Sequence, residues 1–210
     1  MHDYPRMAEA LIRYHEDFRP DFQAKPVVPA KVFDLLDLKF VDWPGRGLPD
    51  ETPWQYLEAE YMRADEYDAL IADPEGYFRR ALLPRFGTAF GPLATMPPFT
   101  DFAEAASMPF NLLGFGAPGL VEGVQRLADV AKECATWMKV TGAAAADAAG
   151  RLGIPPEWSG SAKAPYDVLA DTLRGTKGII VDRFRQPDKI LAAAERFVPL
   201  VIDQCVRHGA

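Results

Sequence analysis

Apolar positions recur at helical spacing along most of this chain and alternate in only one short stretch. Met7, Leu11, Ile12 and Tyr14 predict a helix over about residues 6–17. Pro20 biases Arg19 toward extended backbone, and residues 18–28 have room for one short strand. Val32, Phe33, Leu35 and Leu36 predict a short helix. Leu38-Lys39-Phe40-Val41-Asp42-Trp43 alternates and is rich in strand formers, and Pro44-Gly45-Arg46-Gly47 closes it as a turn. Further short helices are predicted near 54–60, 64–72 and 74–82. Pro74 opens the last of these, where its missing N–H costs nothing. Pro92 to Phe99 reads as a loop, of the irregular kind that often caps a functional site.

The longest helix is predicted from Pro118 toward Ala149. Leu120, Val121, Val124, Leu127, Ala128, Ala131, Ala135 and Met138 form its expected buried stripe, and Gly142 is a candidate break. The last helix starts at Pro187, with Ile190, Leu191, Ala194, Phe197, Val198, Val201, Ile202 and Cys205 at helical spacing. Pro199 inside it predicts a kink, or a cost of about 3 kcal/mol. Gly160 to Leu173 reads as a strand end turning through Ala164-Pro165 into a helix. The sum is a helix-rich α/β chain with a curved, partial parallel sheet of about two to four short strands.

Length and composition narrow this picture. The 210 residues suit one domain, 1–210, with a sizeable core. A formal net charge of −7 disfavours a nucleic-acid partner and an anionic membrane surface. No apolar run approaches the ~18 residues of a membrane span, and the N-terminus begins no signal peptide. Cys134 and Cys205 both fall in helical stretches, which predicts buried free thiols and a reducing cytoplasm. His2, His15 and His208 show no metal-ligand spacing, so no metal is expected.

Candidate chemistry is sparse. Asp167 and Asp171 are four apart and would share one helix face, with Lys163 preceding them. Such a cluster suits acid/base or substrate-binding work. Equally open is a structural reading: Asp167 answers the helix dipole and Asp171 pairs with Arg174. Asp21 in Phe18-Arg19-Pro20-Asp21-Phe22 is a site carboxylate near a strand end, or a helix cap, or simply solvated. Thr172-Leu173-Arg174-Gly175-Thr176-Lys177-Gly178 lacks the Walker pattern and reads as a helix end and tight turn. In the acid-dense run Glu58 to Asp68 the aromatics are expected to face a core and the carboxylates water. Trp43, Trp54, Tyr56 and Trp158 could pack the core or line a pocket for a flat ligand.

Several of these segments resemble one family. Gly160-Ser161-Ala162-Lys163-Ala164-Pro165-Tyr166 is similar to the Ala-Gly-Ala-Pro-Trp-Thr-type segment of the uroporphyrinogen decarboxylase superfamily, which also holds corrinoid-linked methyltransferases. Phe18 to Phe22, followed by Trp43-Pro44-Gly45-Arg46-Gly47, resembles its Phe-Ser-Asp-Ile-Leu segment and Pro-Gly-x-Gly turn. Glu60-Tyr61-Met62 through Asp68 resembles a run found in uncharacterised members. The resemblance implies an incomplete TIM-barrel-like (β/α) domain, roughly strands two to four of the barrel. It implies tetrapyrrole decarboxylation or corrinoid-linked methyl transfer, with a corrinoid (cobalamin) as methyl carrier. Asp21 and Asp171 would then be catalytic and Lys163, Tyr166 and Asp167 substrate-binding, with Asp21 and the Gly160–Asp167 loop on one rim of the sheet. The family's arginine-bearing first strand has no counterpart here, Tyr166 replaces its Trp, and Asp171 stands where decarboxylases carry a substrate-contacting Tyr. The chain alone is therefore expected to show no turnover, and a homodimer or a partner chain would complete the barrel. The alternative is a non-catalytic, helix-rich binding or assembly piece.

Overall fold

Short helices, one long helix and a very small sheet follow one another along the chain in the computed structural model, which describes residues 2–26, 28–45, 47–157 and 162–209. In chain order the elements are α1 (Tyr4–Phe18), α2 (Ala30–Leu36), β1 (Val41–Pro44), β2 (Gly47–Leu48), β3 (Gln55–Tyr56) and α3 (Tyr67–Ala72). Next come α4 (Pro74–Tyr77), a π-helical turn (Phe78–Leu82) and α5 (Leu83–Phe86). Two 3-10 segments, Thr88–Thr95 and Phe99–Phe102, precede α6 (Met108–Asn111), and another, Leu112–Gly116, follows it. The rest is α7 (Pro118–Leu152), α8 (Pro165–Asp167), a second π-helical segment (Val168–Arg174), α9 (Gly175–Arg185) and α10 (Pro187–Gly209). Contacts divide the chain into two compact units, 1–36 with 126–159 and 37–125 with 160–210.

In the first unit, Asp3 caps α1 by accepting the Arg6 N–H at 3.0 Å. The helix ends at Arg19 in a left-handed conformation (φ 45°, ψ 54°), its N–H bonded to the His15 carbonyl. Pro20 does not hold Arg19 extended, because the left-handed cap satisfies a helix-end carbonyl. Nor do residues 18–28 form a strand among the described residues. Their hydrogen bonds go elsewhere: Gln23 donates its backbone N–H to the Pro155 carbonyl and its side-chain amide to the Ala145 and Ile154 carbonyls. Buried His15 accepts the Ala24 N–H at Nε2 (2.9 Å), while Nδ1–H donates to the Leu11 carbonyl (2.7 Å).

The long helix α7 runs unbroken through Gly142, whose missing side chain costs only about 1 kcal/mol in a helix interior. Its buried stripe over 126–152 is Val130, Thr141, Ala144 and Ala148, with Leu127, Cys134 and Trp137 half-buried. These positions alternate three and four apart, a narrow seam. The expected stripe was wider and turned to one side: Met138 is 61% exposed, as are about half of Val121 and Val124. Both cysteines are half-buried rather than buried.

The second unit is built on Met62, Tyr67, Leu70, Tyr77, Leu82, Leu169, Leu173, Ile179, Ile190 and Phe197. Asp73 starts α4 by accepting the Gly76 N–H, with Pro74 at the first turn as expected. The sheet is mixed, in the order β2-β1-β3. β1 pairs in parallel with β2 across the turn (Trp43 with Gly47) and antiparallel with β3 (Val41 with Tyr56). That is the sole parallel pairing among the described residues. Residues 162–164 carry no regular structure, and Gly160, Ser161, Trp158 and Arg46 lie outside the described residues.

No helix forms at 54–60. Gln55–Tyr56 is β3, and Leu57 donates its N–H to the Phe40 carbonyl at 2.8 Å. From there Glu58 to Met62 runs as a strap tied to the junction between the second π segment and α9. Met62 N–H donates to the Leu173 carbonyl at 2.8 Å, and Thr176 N–H to the Glu58 carboxylate. A local helix would have forfeited all of these bonds. Gly175 makes the junction possible: its φ is +69°, and a Cβ there would sit 3.1 Å from the Ala59 carbonyl oxygen.

Candidate functional site: an aromatic pocket edged by Lys163 and Asp171

Four segments of the second unit converge on a pocket of about 450 Å³. The end of the 38–43 stretch brings Phe40, β3 and the strap bring Tyr56, Leu57, Glu58 and Tyr61, and α5 brings Phe86. Lys163, Asp171, Thr172 and Thr176 supply the polar edge. The rings support one another: Tyr61 meets Phe86 edge to face at 5.0 Å, and Phe40 meets Phe86 likewise at 5.5 Å. Tyr56 lies nearly parallel to Phe40 at 6.3 Å and braces against Trp54 at 4.6 Å. Trp43 is buried in the core and Trp54 half-buried. Burial pushes the Tyr61 phenol pKa up, so it stays a neutral hydroxyl.

At the edge, the Lys163 ammonium lies 2.5 Å from the Asp171 carboxylate and donates to the Thr172 hydroxyl at 2.8 Å. Both charged groups are about half exposed. They sit on and beside the π segment Val168–Arg174, a widened turn of the kind frequent at functional sites. The wider turn also breaks the simple four-residue facing of Asp167 and Asp171. Asp167 and Tyr166 are exposed in α8 and do not line the pocket. Asp21 is exposed on the bend after α1, in the first unit. Of the five expected site residues, the structure thus brings Lys163 and Asp171 together in one site.

Two ion clusters that the sequence did not announce lie close by in the same unit. Arg174 is 3% exposed and Asp182 1%. Arg174 Nε is 2.5 Å from the Asp182 carboxylate, which also accepts the Tyr67 hydroxyl at 3.0 Å. The same guanidinium donates to the Glu60 carboxylate and the Met62 carbonyl. Asp171 therefore does not pair with Arg174. Arg174 holds Asp182 below the usual carboxylate range despite burial, which acts the other way. In the second cluster, Arg85 grips both oxygens of Glu66 at 2.6 and 2.7 Å, and the Tyr77 hydroxyl and Arg63 N–H add two bonds. Led by Arg85, these donors pull the Glu66 pKa down to about 2. Glu66 is thus a buried anion, not one of the water-facing carboxylates expected of its run. Spacing does not mark either cluster as a whole: Arg174 and Asp182 are eight residues apart, but their partners Glu60, Met62 and Tyr67 lie more than a hundred residues away, and Glu66 and Arg85 are nineteen apart.

A second, wider groove of about 1070 Å³ runs over Glu60, Asp65, Asp68, Lys177 and Lys189. Its charges are largely engaged with one another, as in Lys189 with Asp68 at 2.7 Å. Among the described residues no cluster of three or more His, Cys, Asp or Glu is placed to hold a metal ion. No described helix is long and apolar enough to cross a membrane. Comparison with family models, with curated proteins and with solved structures finds no match to this chain.

Proposed function

We propose that the aromatic pocket is the ligand site of a small-molecule protein of the uroporphyrinogen decarboxylase type, and that its ligand is a small methylated molecule. One observation carries the reading. Lys163 and Asp171, from the segment that bears the resemblance, edge the same pocket as four aromatic rings drawn from three other segments. Concave, mostly apolar walls with a few convergent polar groups are what small-ligand sites share.

Pocket size separates the ligands that the resemblance implies. A tetrapyrrole or corrinoid macrocycle is larger than the ligands enclosed by about 450 Å³. A porphyrinogen's carboxylates would also need several cations, and among the described residues Lys163 is the sole one in the lining. The described residues therefore do not fit a corrinoid here. Asp171 is the expected catalytic carboxylate that edges the pocket, where the Lys163 ammonium 2.5 Å away orients it.

Nuclear magnetic resonance tests the site directly. A set of small aromatic and alkylammonium compounds should shift the backbone signals of Leu57, Thr172 and Thr176. Shifts confined to the Lys177–Lys189 groove would overturn the assignment.

A second reading, an assembly role, rests on a different observation. Phe184 is 85% exposed, Val206 66%, Leu191 60% and Ile202 58%. Apolar surface of this kind marks association sites. Light scattering distinguishes the two: a monodisperse monomer at high concentration would remove the assembly reading.

A further inference from the structure

We infer that the pocket selects a quaternary methylammonium cation over neutral or anionic molecules of the same shape. The inference rests on the pocket being a ligand site and adds the charge class of its occupant.

Charge comes first. Among the described residues the lining holds two carboxylates, Glu58 and Asp171, against one ammonium, Lys163. That ammonium is already engaged by Asp171 and the Thr172 hydroxyl. The Glu58 carboxylate accepts the Thr176 N–H, a neutral donor, and has no cationic partner in the lining among the described residues. An anionic ligand would meet an engaged lysine and two like charges. A cation would meet a net negative edge.

Shape comes second. Phe40 and Tyr56 are nearly parallel, with planes 27° apart, whereas Tyr61 stands at 82° to Phe40 and at 80° to Phe86. Phe40, Tyr61 and Phe86 pack edge to face on one another, so the ring planes differ in direction while all four rings line the pocket, and a cation there can meet π surface of more than one orientation. The chemistry of the cation follows from the same walls. A primary ammonium has three N–H donors and needs acceptors close around it. A quaternary one has none, spreads its charge over methyl groups and suits aromatic walls with carboxylates at the edge.

The test titrates the full chain with choline, its neutral carbon isostere 3,3-dimethylbutan-1-ol and the anion 3,3-dimethylbutanoate. Binding is followed by calorimetry and by the Thr172 and Thr176 signals. Choline should bind about tenfold more tightly than the neutral isostere, within the range of cation–π energies. Tyr56→Leu, at a ring 63% exposed and so safe for folding, should remove most of that preference. Asp171→Asn frees Lys163 and should weaken choline while strengthening the anion. Equal or tighter binding of the neutral or anionic isostere at these residues overturns the charge class but keeps the ligand site. Failure of all three compounds to perturb Thr172 and Thr176 overturns the site and the inference with it.

Discussion

Two acid–base pairs each draw one member, Asp171 and Arg174, from the same π-helical segment, and they differ in almost everything but chemistry. Arg174 and Asp182 are sealed in the core, and each has further partners: Glu60 and the Met62 carbonyl for the arginine, Tyr67 and Gln186 for the aspartate. Lys163 and Asp171 are half in water and share little besides Thr172. Taking two ions out of water is costly, so a buried pair persists only when other groups complete its hydrogen bonds. Once complete, it cannot be altered without leaving an orphaned charge. The exposed pair has no such constraint, because water can complete the hydrogen bonds of either ion if the other is removed. Burial with many partners makes the first pair a fastener, and exposure at a pocket edge leaves the second free to meet a ligand.

The largest effect should come from Arg174→Met, which leaves Asp182 buried beside neutral donors only. We expect a loss of about 3–5 kcal/mol in urea unfolding, together with release of the Glu58–Met62 strap. A loss below 1 kcal/mol would erase the contrast. Next is acid. The pKa of Glu66 is depressed from 4.5 to about 2 in the fold, so its contribution is full above pH 4.5 and is lost as pH falls through about 2. The urea midpoint should drop across that window in the parent chain and drop less in Glu66→Gln. A parallel acid profile in both chains would show that the Arg85–Glu66 grip adds nothing. Gly175→Ala should cost about 1–2 kcal/mol, from the +69° φ and the approach of Cβ to the Ala59 carbonyl. Smallest is Lys163→Met, which should change stability by no more than about 0.5 kcal/mol, as exposed ion pairs do.

What could be read from the sequence follows the reach of the forces involved. α1, α2, α3, α4 and α10 are legible because their periodicity is local, as are the starts of α4 and α10 at Pro74 and Pro187. Lys163 and Asp171 are legible as members of one charged cluster, but not as each other's partners. α7 was legible in extent but not in orientation: it carries more apolar residues than its seam buries. The strap was misread as helix because its hydrogen bonds run to Leu173 and Thr176, more than a hundred residues on. Of the pocket walls, Tyr56 was among the aromatics read as able to line a pocket, and the others were illegible for the same reason. Phe40, Tyr61 and Phe86 each look like ordinary core residues until the fold sets their rings against one another.

The division of labour along residues 163–182 is tested most directly by unfolding Asp171→Asn and Asp182→Asn side by side in urea at pH 7. Asp171→Asn should stay within about 0.5 kcal/mol of the parent, and Asp182→Asn should lose at least about 2 kcal/mol. Equal losses, or the reverse order, would contradict the account: the exposed pair would then be part of the fold's fastening and not a free edge of the pocket.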